Sequence, residues 1–301
     1  MVEMTPGETA LRSSAALVRP LPRVVFRLTG DKPLAYLQDI LAQEVGGLGP
    51  GRGALAVALS PKGRISAEVR VLPMFNGSTL LDAEPEARAG IEERIGRHAG
   101  LAGCQLEALD LEVAALRGPE AEAALASAGI QVPHAGEAMF VEAEGFLAVR
   151  VVWGVPGFDL IGRAPVIDAE AAPPAELETA RIEAGRPRFG ADFDEDVLVN
   201  ETPLLEHAVN SSKGCYPGQE SVARVRNLGG IRRRMRGLRA ADGERRAGAD
   251  VSAGDGAIGR VTSAAALPER GSAAIAMLRS EAEPGDEVSV DGVVAMVTTL
   301  H

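Results

Sequence analysis

From residue 24 onward, short apolar segments alternate with polar breaks, and the period of the apolar positions separates strands from helices. Residues 24–28 read as a strand and 29–33 as the turn into a helix, on which Leu34, Leu37, Ile40, Leu41 and Val45 recur at helical spacing. The glycine-rich 46–53 has neither glycine order nor lysine of a phosphate cradle, and reads as a connector. Three apolar runs, 54–59, 65–72 and 79–81, are divided by Pro61-Lys62-Gly63-Arg64 and Asn76-Gly77, which predicts an antiparallel meander. Beyond it, 85–98 and 119–128 read as helices, 106–116 as one partly exposed strand, and 139–141 with 146–152 as a hairpin. A strand at 158–161 and a helix at 175–183, set off by Pro173-Pro174, complete this part.

The texture then changes to short strands at 257–261, 273–278, 287–290 and 293–298 between Gly, Pro and Asp turns. Asp291-Gly292 is a two-residue hairpin signal. This predicts a small antiparallel barrel from Ile231 to His301, and the preceding 1–230 form the main body. Strands and helices follow in mixed order without regular βαβ alternation, so the fold class is α+β.

The chain has 301 residues, enough for two or three domains with their own cores, and a formal net charge of -11. That acidity argues against general nucleic-acid binding. No apolar run approaches the roughly 18 residues that mark a membrane span. Residues 1–22 are broken by Pro6, Pro20 and Pro22 and lack the apolar core of a secretory signal, so the cytoplasm is the expected location. Cys104 and Cys215 are too far apart for a local metal knuckle, and His98, His134, His207 and His301 have no metal-ligand spacing. A metal or cluster site held by this chain alone is not expected.

The chemistry concentrates in Lys213-Gly214-Cys215-Tyr216-Pro217-Gly218-Gln219-Glu220. Two glycines around a proline turn the backbone sharply and present the thiol, with a helix beginning at Gln219. If 213–215 is extended, Lys213 and Cys215 share a face, and the ammonium favours the thiolate that attacks electrophiles or binds metal. The plain alternative is a turn around a buried structural cysteine.

This stretch resembles the signature of the YgfZ family, folate-binding relatives of the glycine-cleavage T-protein (aminomethyltransferase). The segment Arg181-Ile182-Glu183-Ala184-Gly185 resembles the one in which that superfamily places its pterin-binding glutamate, which implies that Glu183 takes the ring's amino edge. The resemblance extends the cofactor contacts to Tyr216, Gln219 and Glu220. The cationic residues nearest the signature, Arg224 and Arg226, are candidates for folate's anionic tail, within a run of eight cations from Lys213 to Arg239. The family fold is an N-terminal body of two interleaved α/β subdomains plus a C-terminal barrel.

One departure bears on activity. Aminomethyltransferases place two adjacent aspartates after the Pro-Lys-Gly turn, the first to activate the folate nitrogen; here those positions are Ala67 and Glu68. Alanine cannot act as acid or base, and a strand turns Glu68 to the opposite face. The resemblance therefore implies a tetrahydrofolate-binding accessory protein for iron-sulfur cluster assembly or repair, with Cys215 and Lys213 as its reactive pair and a cluster shared with client enzymes or assembly proteins. The alternatives are a folate-dependent aminomethyl or methyl transferase, and an arginine-rich tRNA-contacting protein. The scarcity of aromatics near the arginines argues against the last.

Overall fold

A computed structural model describes residues 4–241, 246–254, 256–268 and 270–300. The expected barrel terminus and fourth histidine, His301, lie outside the described residues, as does the very start of the 1–22 stretch. Three sheets build the molecule. Five strands, Val24–Gly30, Ala54–Leu59, Ile65–Pro73, Thr79–Ala83 and Cys104–Leu109, form one antiparallel sheet that contains the expected meander. Six strands form the second: Ala16–Val18, Val113–Arg117, Phe140–Ala143, Phe146–Val151, Gly157–Gly162 and Glu170–Ala172. Among the described residues its one parallel pair joins Ala16–Val18 to Glu170–Ala172. All five strands of the first sheet lie in sequence between two neighbouring strands of the second, so the two α/β units are interleaved, as the fold class predicts.

The third sheet is a closed antiparallel barrel of six strands between Arg233 and Thr298. Closure leaves no free edge for stray pairing. Its hairpin at Asp291-Gly292 is present, with Asp291 at φ 50° and Gly292 at φ 82°, the left-handed pair such a turn demands.

Two expectations change. The run 106–116 is two strands, Cys104–Leu109 and Val113–Arg117, which enter different sheets; the exposed Asp110, Leu111 and Glu112 carry the crossing. The first long helix stops early, as Pro33–Ile40, although Leu41, Ala42 and Val45 remain fully buried. A helix leaves its last carbonyls without partners. Here Lys213 supplies them, its Nζ donating to the carbonyls of Gln38 (2.6 Å), Leu41 (2.7 Å) and Gln43 (3.2 Å). The chain can therefore leave the helix without orphaning those groups.

Candidate functional site

A cavity of about 410 Å³ opens where the two sheets, the helix Pro174–Glu183 and the loop after it converge. That volume lies in the range of small-molecule sites. The strand Ile65–Pro73 supplies one wall. Its alternation sends Glu68 and Arg70 to the cavity, while Ala67 is fully buried in the main core under the helical run that begins at Pro85. A Cβ built on Gly90 would sit 3.4 Å from the Ala67 methyl. Ala67 and Glu68 thus face opposite ways, as strand alternation predicts, and it is position 68, with its carboxylate, that faces the cavity.

The floor is a buried ion network that joins the sheets. Arg70 and Asp82 are directly opposed on neighbouring strands of the five-stranded sheet, with Arg70 Nε 2.6 Å from Asp82 Oδ2. Arg70 also reaches across to Asp159 of the six-stranded sheet at 2.6 Å, and Arg117 pairs with the same carboxylate. Arg23 closes the group, bidentate on Asp82 at 2.9 and 3.0 Å and donating to Glu84. Burial pushes the Asp159 carboxyl up, but Arg117, Arg70 and Arg23 together hold it well below the usual carboxylate range. Glu84 shows the opposite balance. Burial raises its pKa, and Arg23 and Arg188 only partly offset the effect.

The facing wall is a stack. The Arg186 guanidinium carbon is 3.5 Å from the Trp153 ring centroid, and His207 lies against the same indole at 4.0 Å and 17°. Two planar groups so close to one centroid would overlap on a single face, so Trp153 is sandwiched between them. Arg186 is in turn paired with Glu68. Burial lowers the pKa of His207 and the Arg186 charge lowers it further, which favours the neutral imidazole. From the helix, Glu178 faces the cavity and is held by Arg181 at 2.9 and 2.7 Å. Arg181 also donates to Asp192 (2.7 Å) and to Ser263 of the barrel (3.0 Å), locking the barrel to the helix.

The residues singled out from sequence do not converge on this cavity. Lys213 is buried, with its ammonium on three carbonyls, while Cys215 is exposed. The segment is an irregular turn rather than a strand, so alternation does not set the two side chains side by side. Burial lowers the pKa of Lys213. Tyr216 is buried with its ring 5.6 Å from that ammonium. The helix Gln219–Leu228 begins where expected, with Glu220 in its first turn, but Arg224 and Arg226 are exposed on it and do not line the cavity. Gly218 lies close against the chain's own backbone. At φ 88°, a Cβ there would stand 2.5 Å from the Ser60 carbonyl oxygen. Ser221 Oγ donates to the Pro61 carbonyl at 2.9 Å. The signature thus braces the turn that launches the strand bearing Glu68 and Arg70.

Glu183 also departs from expectation. Its carboxylate pairs with Arg12 at 2.6 Å and Arg270 at 2.5 Å, joining the N-terminal helix Pro6–Ser13 to the barrel, and it does not line the cavity. Burial would raise its pKa, but hydrogen bonds from the two guanidiniums outweigh that and lower it. The helix period explains the exchange. Glu178, five residues earlier, faces the cavity and Glu183 does not. Among the cavity residues missed by sequence reading, Arg70, Arg117 and Asp159 shared one signal, a charge in an otherwise apolar strand that is buried throughout.

No family model matches the chain. It is 26% identical over 244 residues to an aminomethyltransferase of Synechocystis, covering 71% of this chain and 63% of that protein. It is 21% identical to an uncharacterized protein of Haemophilus influenzae (70% and 69% covered) and 24% identical to a putative chloroplastic transferase of Arabidopsis thaliana (71% and 53%). The chain therefore spans less than two thirds of the aminomethyltransferase it matches. The crystal structure of the glycine cleavage system aminomethyltransferase T from Bartonella henselae superposes with a TM-score of 0.85 at 22% identity, over 98% of this chain and 88% of that one. The fold is that of aminomethyltransferase T. The superfamily expected from sequence is supported at this level by relatives of the aminomethyltransferase type. Among the described residues no helix is long and apolar enough to cross a membrane, and no group of three or more His, Cys, Asp or Glu side chains could hold a metal ion.

Proposed function

We propose that this protein binds a reduced folate, tetrahydrofolate or a one-carbon derivative, with the pterin ring in the central cavity. The observation that carries the reading is the cavity itself: an enclosure of about 410 Å³ walled by Glu68, Glu84 and Glu178 and by guanidiniums, in the fold of aminomethyltransferase T. A pterin is flat and carries donors and acceptors around its edge, and such a wall of carboxylates and guanidiniums matches it. The cavity has a fit of its own for an added ligand, because the buried Arg188 Nε has no hydrogen-bond partner. Folate would supply the one-carbon chemistry. Glu68, on the cavity face beside Arg186, is the carboxylate this chain offers for holding or moving a proton at a ring nitrogen. That role restores the transferase reading that Ala67 alone had weakened.

Calorimetric titration with tetrahydrofolate tests the assignment. Wild type binds, Glu68→Gln weakens binding at least tenfold, and Glu183→Gln stays within twofold because its carboxylate serves Arg12 and Arg270. Loss of binding in Glu183→Gln with Glu68→Gln intact would return the pterin to the site expected from sequence.

The YgfZ-type accessory role in iron-sulfur maintenance is a second, finer reading, favoured by one observation: the Cys215 thiol is exposed. A single thiol can contribute one ligand at most, so the cluster would be shared with a client. Cells carrying Cys215→Ser should then lose iron-sulfur enzyme activity while the purified variant keeps its folate affinity. Full client activity in those cells would remove this reading.

A further inference from the structure

Of the six arginines that line the cavity, five donate at least one hydrogen bond from the guanidinium. Arg23, Arg70, Arg117 and Arg181 are on carboxylates, and Arg186 is on Glu68 and the Pro187 carbonyl. Arg188 is the exception among the described residues. Its Nε is buried without a hydrogen-bond partner, 3.6 Å from Glu178 Oε2, and its Nη1 stands 3.6 Å from Glu84 Oε2 and 4.0 Å from Glu86 Oε1. All three separations are beyond hydrogen-bond range. Ion pairing keeps the guanidinium between these carboxylates, and its buried Nε is left without a hydrogen bond inside 3.5 Å. Glu178 is already held on both oxygens by Arg181. Glu84 differs: Oε1 takes a bond from Arg23, and among the described residues Oε2 accepts none.

Arg188 and Glu84 thus set an idle donor beside an idle acceptor on one wall. A buried donor without a partner is costly, so a ligand that satisfies it is preferred over one that does not. The 2-amino-4-oxo edge of a pterin offers an oxo acceptor followed by a ring N–H and an amino group, both donors. Resting on the folate reading above, we infer that Arg188 takes the 4-oxo group and Glu84 Oε2 the adjacent ring N–H. This pair makes the site selective for 4-oxo over 4-amino rings. A 4-amino ring would turn a donor toward the donors of Arg188, and its N3 carries no hydrogen for Glu84 to accept.

The test is affinity for two probes, tetrahydrofolate and 4-amino-4-deoxytetrahydrofolate, titrated anaerobically into wild type, Arg188→Met and Arg188→Lys. Wild type should prefer the 4-oxo ring by at least thirtyfold. Arg188→Met should weaken tetrahydrofolate at least tenfold and the 4-amino ring by less than threefold, so that the preference shrinks to the part Glu84 supplies, and Arg188→Lys should recover some of the loss. Thermal unfolding of each variant confirms that it is folded. Equal weakening of both probes, or no weakening of either, would overturn the Arg188 assignment and leave folate binding standing. Failure of wild type to bind either probe would overturn the folate reading and this inference with it.

Discussion

The signature loop and the cavity wall make opposite use of their charged groups. In the loop, the eight consecutive residues from Lys213 to Glu220 look like an active site, yet the lysine is spent on the carbonyls of Gln38, Leu41 and Gln43, and Gly218 is pressed on Ser60. In the wall, Arg23, Glu68, Arg70, Asp159 and Arg188 are scattered along the chain, and the two interleaved sheets bring them to one enclosure. Density in sequence here marks a brace, and density in space marks the cavity wall proposed above to hold the pterin. The two are linked through one turn. The loop fixes 60–64, and that turn sets the register of the strand whose alternate side chains enter the cavity.

The strongest way to break this comparison is to remove the wall's keystone. Asp159→Ala leaves Arg70 and Arg117 buried facing each other without their shared carboxylate. Breaking a buried pair by deleting one partner costs about 3–5 kcal/mol, and urea unfolding should show a loss of that size. A loss under about 1 kcal/mol would mean that the network does not hold the sheets together. The same carboxylate fixes a pH dependence. Its pKa is depressed in the folded state, so its contribution is complete above the unfolded value of about 4 and declines as pH falls below it. In Asp159→Ala, acid should therefore remove less of the remaining stability than it does in wild type.

How much of this was legible follows from the range of the interactions concerned. The meander, the hairpin at Asp291-Gly292 and the barrel were readable because period and turn chemistry are local. The resemblance carried by the signature and by the Arg181 segment led to the right fold. The start of the helix at Gln219 was readable, but the end of the helix that begins at Pro33 was not, because Lys213 caps it from more than 170 residues away. The same distance effect hid the site. Nothing within 181–183 shows that Glu183 will meet Arg12 and Arg270 while Glu178 faces the cavity. The usable signal was physical incongruity: Arg70, Asp82 and Asp159 sit in apolar strands, where a charge survives burial only if another strand brings its partner.

A smaller and more discriminating change is Lys213→Met, which keeps the aliphatic stem and removes the ammonium. Three carbonyls at the end of the helix Pro33–Ile40 then lose their shared donor, for an expected cost of about 2 kcal/mol, read as a shift of the urea midpoint. The same variant separates brace from reactive pair. If Lys213 serves only those carbonyls, the rate at which the exposed Cys215 reacts with a small disulfide changes by less than twofold. If the ammonium tunes the sulfur, the reaction at neutral pH slows at least tenfold while stability hardly moves. The two outcomes differ in both readouts. A stable variant with a sluggish thiol would give the signature loop the chemistry proposed here for the cavity wall.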